Sequence, residues 1–460
     1  MNSILVHSSM NYIKCQYPPA FTPGELAMGS IFSSRLKRTL ELTKMATKIG
    51  FKELTSGDIQ SRIEQAKILT ESLGNLRGAA MKAGQLLSLD LDDYFPPEAI
   101  QILSQLQNQA FDSPELDLAQ VLKAELNHDQ LLELQNINYK PFAAASMGQV
   151  YKATVANKPI VIKAQYPHLE QSIENDIKAL KRLMSTLCLL TGRSMNLDSL
   201  FAEIEEVLRQ EVNYLNEAKA LSNFTELFDS HDWKHARIKT PKPLNRLSTN
   251  KVLCLTYEHG LTLKEWIDTR PPVEKRELIA KSMLELYVME FFVWGFVQTD
   301  PNPGNFLIRE APELEIVALD FGASRHYPPE FRKNYIELLR SIRSTSPEKI
   351  VTTAIEFGLL DSRESEDAKM VFVELLKLGM SPFFQNANGR KFDFKNDKFV
   401  KENARLSRQL VQSLKYSPPP HKLIFLHRKL GGVFAALRKL EVELDLREYW
   451  EQIETANINA

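Results

Sequence analysis

Apolar positions along this chain recur mostly at helical spacing, and short alternating runs interrupt them only near its middle. From Asp58 to Leu89, residues such as Ile59, Ile63, Leu69, Leu73, Leu76 and Leu87 trace one face of a long helix, with Asp58 as its N-cap. Helices are also expected over Glu98–Asn108 and Pro114–Asn127. Gly148–Ala156 and Pro159–Gln165 read as two strands around a turn at Asn157-Lys158. Helical patterns follow at Leu169–Leu190 and Leu197–Phe228, and a strand at Lys251–Tyr257. Another strand-like run, Glu315–Leu319, precedes a C-terminal part that is helical: Phe331–Ser344, Pro347–Phe357, Glu364–Gly379, Phe399–Leu414 and His421–Leu440. The polar stretch Asn386–Asp397 reads as a loop. Leu278–Val297 is apolar enough to suggest a membrane span, but Lys281, Glu285 and Glu290 interrupt it, so a buried helix is expected.

The first 30 residues, with Pro18, Pro19, Pro23 and Gly24, lack periodicity and read as an extended arm. Ile31–Lys52 is a basic amphipathic segment. Packing its apolar face on the core is the favoured expectation, and contact with an anionic membrane surface is the alternative. With 460 residues the chain can build two or three lobes around a large core. A net charge of −1 points to no nucleic-acid partner. Three scattered cysteines, Cys15, Cys188 and Cys254, suggest a reducing compartment without a disulfide framework or zinc site. No apolar signal core is visible in Met1–Tyr17. A cytoplasmic protein, with peripheral membrane contact as an option, is expected.

Three short stretches carry the chemistry. Lys163 lies in a strand-like run, Asp300 and Asn305 are five residues apart, and Asp320-Phe321-Gly322 follows. A lysine, an Asp-x4-Asn and a DFG in this order suit phosphoryl transfer from ATP. Such transfer needs charge placed around phosphates more than covalent catalysis. Lys163 is the expected partner of the α/β-phosphates. Asp320 and Asn305 supply oxygens for Mg²⁺, a hard cation. Asp300 would act as base or orienting group toward a hydroxyl or water. Taken singly, the two aspartates read equally well as turn caps and the lysine as a solvated strand residue.

Further motifs resemble the UbiB/ADCK/AarF family of atypical, protein-kinase-like kinases. Lys82-Ala83-Gly84-Gln85 matches its KxGQ signature, and Ala143-Ala144-Ala145-Ser146-Met147-Gly148-Gln149-Val150 matches its alanine-rich loop. Glu211-Val212-Asn213-Tyr214 matches its ExD stretch, with Asn213 in place of the aspartate, and Glu217 matches its helix-C glutamate. The resemblance runs from about Ser56 to about Leu444. It implies an α+β fold with two lobes. A β-containing small lobe with a helical insertion (136–260) and a helical large lobe (261–460) follow a helical KxGQ extension (56–135) and an N-terminal arm (1–55). It also implies ATP or ADP with Mg²⁺ as ligands. Ala143, Ala144, Ala145, Ser146, Gly148 and Val150 would line the nucleotide, with Glu258 and His259 in the hinge. Glu217 would pair with Lys163, and Lys82, Gly84, Gln85, Glu211 and Asn213 would regulate access. Alanines in the loop restrict its backbone, leaving Gly148 the one position of full freedom, and should alter nucleotide preference.

Gln298-Thr299 precedes Asp300 where ordinary protein kinases have His-Arg, and Pro328-Pro329 follows Gly322 with little room for an activation segment. Both argue against a protein substrate. An ATPase or atypical kinase supporting ubiquinone biosynthesis or lipid handling is the leading expectation. A nucleotide-sensing pseudokinase acting as a lipid chaperone or scaffold, and a small-molecule phosphotransferase, are the alternatives. Membrane lipid or a quinone precursor is then the natural partner besides nucleotide.

Overall fold

The computed structural model describes residues 82–84 and 116–456, except 146, 168, 191–196, 301, 344–345, 385–390, 415–416 and 418–420. The expected helix over Asp58–Leu89, apart from residues 82–84, the expected helix over Glu98–Asn108, the basic segment Ile31–Lys52 and the N-terminal arm therefore lie outside the described residues.

Two short helices, α1 (Leu118–Glu125) and α2 (His128–Glu133), precede the small sheet; they fall in the stretch expected as the KxGQ extension, but Leu118 and Leu122 pack into the sheet's apolar cluster. Asp117 caps the first, and an Asn127/Gln130 capping box starts the second. An antiparallel sheet follows in the order β1-β2-β3-β5, from β1 (Gln135–Ala145), β2 (Gly148–Val155), β3 (Lys158–Gln165) and β5 (Val252–Thr256). The β2–β3 turn is Ala156-Asn157, both at positive φ, one residue earlier than expected. Alternation along β3 sets the lobe's two faces. Ile160, Ile162 and Ala164 pack with Leu118, Leu122 and Tyr151 in a small apolar cluster, whereas Val161, Lys163 and Gln165 point the other way. The adjacent β5 serves both cores: Val252 and Cys254 join the small cluster, Leu253 and Leu255 the large one.

Between β3 and β5 lie α3 (Leu169–Leu190), α4 (Asp198–Glu211), α5 (Tyr214–Ser230) and the short β4 (Arg237–Lys239). The single helix expected over 197–228 is thus two. It breaks at Val212-Asn213, where Asn213 leaves helical geometry and its side chain accepts from the Leu215 amide as the N-cap of α5.

The large lobe holds a second four-stranded sheet, in the order β4-β9-β8-β6, from β6 (Leu261–Thr262), β8 (Phe306–Arg309) and β9 (Glu315–Ala318) with β4. β7 (Phe296–Gln298) pairs with β10 (Ser324–His326). These strands carry the segments around Asp300 and Asp320. After α6 (Leu263–Asp268), α7 (Val273–Val288) runs into a π-helical turn, Met289–Trp294. The apolar stretch expected as one helix to Val297 therefore ends early. Gly295, at φ +67°, turns the chain into β7, and a Cβ there would lie 2.8 Å from the Arg332 guanidinium. The C-terminal helices are α8 (Pro329–Ser341), α9 (Pro347–Glu356), α10 (Glu366–Phe384), α11 (Asp397–Ser413), α12 (His421–Leu440) and α13 (Arg447–Thr455). β11 (Phe392–Asp393), inside the stretch expected as a loop, pairs with β12 (Glu443–Leu444). The large core includes Phe224, Phe228, Trp266, Phe291, Phe292 and Phe321. No helix among the described residues is long and apolar enough to cross a membrane.

Candidate nucleotide site

The site forms where the Lys163 face of the small sheet meets α5 and the loops around β7 and β9. Lys163 Nζ donates to both Glu217 carboxylate oxygens at 2.7 and 2.8 Å and lies 3.6 Å from Asp320 Oδ2. Glu217 is 3% exposed, in the first turn of α5. Burial pushes its carboxyl up to about 7, against the pull of Lys163. Burial acts to lower Lys163, but Asp320 and Glu217 overcome it and raise the ammonium above its ordinary value. Burial likewise works to raise Asp320, but Lys163, Lys82 and the Gly322 amide (2.9 Å to Oδ1) hold that carboxyl below its ordinary value.

Asp300 sits beside this group. Its Oδ2 accepts from Asn305 Nδ2 at 3.0 Å, and its Oδ1 lies 3.4 Å from Arg428 on α12. Asn302 shapes the intervening turn by accepting from the Gly304 amide, and the Asn305 carbonyl accepts from Leu319 N at 2.8 Å. Gln298 ties the two aspartate segments together: its Nε2 donates to the carbonyls of Asp300 (2.8 Å) and Asp320 (3.1 Å). Its Oε1 accepts from Lys429, which is also 2.9 Å from Glu290 in a pair almost without exposure. Gln298, Glu290, Arg428 and Lys429 were not singled out as site residues from sequence. The charge of Glu290 within the apolar run Tyr287–Val297 is the available signal; Lys429 sits among Lys422, His427 and Arg428 and is not marked out.

Lys82 reaches Glu211, 3.2 Å away, and both are buried. Burial opposes the Lys82 charge, but Glu211, Asp300 and Asp320 raise its pKa. Burial raises Glu211, with Lys82 pulling back. Gly84 is buried beside Lys82, and Gln85 lies outside the described residues. Asn213 makes no hydrogen bond to Lys82 among the described residues; it caps α5 instead.

Ala143, Ala144 and Ala145 are not a loop. They end β1, paired with Val150, Gln149 and Gly148, and Met147 is a turn residue just ahead of β2. Ser146 lies outside the described residues. The expectation of a freely moving Gly148 is also corrected: Gly148 is a strand residue, and a Cβ there would meet the Ala164 carbonyl at 2.0 Å. Its glycine permits close strand approach. In the hinge, the Glu258 side chain turns to Arg309 on β8 at 3.1 Å, and His259 is exposed. Any reading of a base there falls to the backbone.

One aspartate and one amide are a sparse donor set for a metal. No cluster of three or more His, Cys, Asp or Glu suited to a metal occurs among the described residues. Sparse oxygen ligation fits Mg²⁺, which keeps several waters and shares itself with phosphates. Asp320, held ionised and about one-third exposed, and the Asn305 amide oxygen fit that group.

A small antiparallel sheet that delivers a lysine to a helix glutamate, above a large lobe carrying Asp-x4-Asn and DFG, defines a protein-kinase-like fold. The chain belongs to the ABC1 atypical kinase-like family, whose domain model matches residues 105–354. It is 29% identical over 435 residues to atypical kinase COQ8, mitochondrial, of Saccharomyces cerevisiae, covering 94% of this chain and 83% of that protein. It is 28% identical over 439 residues to atypical kinase coq-8, mitochondrial, of Caenorhabditis elegans, covering 94% of this chain but only 56% of that longer protein. A solved Mycobacterium tuberculosis protein, determined in complex with erythromycin, shares the fold with a TM-score of 0.55 at 22% identity, covering 87% of this chain and 98% of that one.

Proposed function

We propose that this chain binds ATP with Mg²⁺ and transfers the terminal phosphoryl group to water or to a small or lipid acceptor, as an atypical kinase or ATPase. The observation that carries the reading is the Lys163–Glu217–Asp320 arrangement. A cation paired with Glu217 and 3.6 Å from Asp320, a carboxylate kept ionised and partly exposed, is a preorganised place for a triphosphate. Bound Mg²⁺ would neutralise charge developing on the phosphates. Asp320 and Asn305 would hold it, and Lys163 would bind phosphate oxygens. Asp300, fixed by Asn305 and Arg428, would orient the attacking hydroxyl or water.

The buried Lys82–Glu211 pair, whose lysine feels both Asp300 and Asp320, supports a small acceptor. It puts side chains close to the reacting groups, where a peptide would need room. The resemblance to quinone-linked atypical kinases makes ubiquinone biosynthesis or lipid handling the natural setting, with peripheral membrane contact.

The test is phosphate release from ATP and Mg²⁺, with and without anionic liposomes, on wild type and Asp320→Asn. Release that depends on Asp320 and rises with liposomes supports the proposal. Binding without release in either condition favours a nucleotide-sensing role instead.

A further inference from the structure

We propose that the Tyr214 hydroxyl is a phosphate-binding donor of this site, a deepening that rests on the nucleotide reading above. Tyr214 opens α5, is 1% exposed, and has a hydroxyl without a hydrogen-bond partner among the described residues. Its position is tightly set. The backbone amide donates to Asn250 O at 3.0 Å, and the ring lies 5.3 Å from Lys163 Nζ in a cation–π arrangement. The hydroxyl reaches under the β1–β2 hairpin, where a Cβ on Gly148 would stand 3.0 Å from it. Gly148 pairs with Gln165 and Val150 with Lys163, so the hydroxyl sits on the face of the sheet that presents Lys163.

Packing and cation–π contact need only a ring, and phenylalanine would supply both. A buried hydroxyl left without a partner carries a desolvation penalty, so its presence calls for an acceptor. Burial keeps the phenol protonated at neutral pH, despite the opposing pull of Lys163. The group therefore donates. Glu217, the nearest paired carboxylate on the same helix, already has both oxygens on Lys163. An anionic oxygen brought in by a ligand that Lys163 also binds is the acceptor with matching charge, and phosphate oxygens are that class.

The experiment compares full-length wild type with Tyr214→Phe, measuring affinity and thermal stabilisation for ADP, for ATP with Mg²⁺, and for adenosine. The expected result is an unliganded melting temperature unchanged or slightly higher. ADP and ATP affinities should fall about tenfold, the scale of one hydrogen bond to a charged group, while adenosine affinity stays the same. Unchanged ADP and ATP affinities, or a loss shared equally by adenosine, would overturn the proposal. Failure of wild type to bind either nucleotide would overturn the nucleotide reading itself, and is recognised before the variant is compared.

Discussion

Lys163 and Glu217 stand 54 residues apart in sequence, yet one ammonium meets both carboxylate oxygens within 2.8 Å. Removing the carboxylate strands a buried cation with only Asp320 at 3.6 Å. Glu217→Ala should therefore cost about 3 kcal/mol of folding stability, near the low end for breaking a buried pair. Urea unfolding checks this; a loss below about 0.5 kcal/mol would show the pair to be incidental.

The same carboxylate gives a pH signature. Its pKa is raised in the folded protein from 4.5 to about 7, so the folded state binds the proton more tightly. Its contribution to stability is complete below about pH 4.5 and is lost as pH rises through about 7. Glu217→Gln should flatten that part of the stability curve. Nucleotide affinity should move oppositely, rising through about pH 7 as the carboxylate ionises and fixes Lys163. Denaturant melts and ADP titrations from pH 5 to 8 on both proteins measure the two slopes.

Lys429 and Glu290 form a buried pair that also holds Gln298, and Gln298 joins the Asp300 and Asp320 segments. Lys429→Met alone should destabilise by about 3–5 kcal/mol. Adding Glu290→Leu should recover most of that loss, since an apolar pair replaces an ionic one. Phosphate release should nonetheless stay reduced by about tenfold or more, because Gln298 has lost its anchor. Full recovery of turnover in the double variant would show that Lys429 serves folding alone.

Asn213 sets the start of α5. As the α5 N-cap it accepts from the Leu215 amide, and aspartate caps equally well while adding charge at a helix N-terminus. Asn213→Asp should change stability by at most about 1 kcal/mol, in the favourable direction. Asn213→Ala should cost about 1 kcal/mol. Thermal melts decide; a large gain for aspartate in nucleotide affinity would mean the position reaches the ligand.

The class of fold and the grouping of Lys163, Asp300, Asn305 and Asp320 are legible in motif order, whereas Glu217, 54 residues from Lys163, is marked only by the family resemblance, since a glutamate on a long helix usually faces water. β1 was missed. Its alanines suggest neither strand nor helix, and its pairing is decided by β2 across the turn. The break at Val212-Asn213 was missed because apolar spacing continues through it, while the cue, a lone Asn ahead of an acidic first turn, is weak. The end of α7 was misjudged because a π-helical turn keeps a buried apolar sequence without keeping the α-helical ladder. Contacts from α12 to Asp300 and Gln298 span more than 120 residues and leave no short-range mark.

The break between α4 and α5 also solves a problem of rotational phase. On one continuous helix, residues six apart would point about 120° away from each other. Glu211 and Glu217 could not then serve two lysines facing one site. The extended backbone of Asn213, after Val212 ends α4, resets the phase, so one carboxylate takes Lys82 and the other Lys163. A single-residue insertion at Val212-Asn213 would change no charge and no composition of the site, yet it would swing one of these carboxylates out of reach.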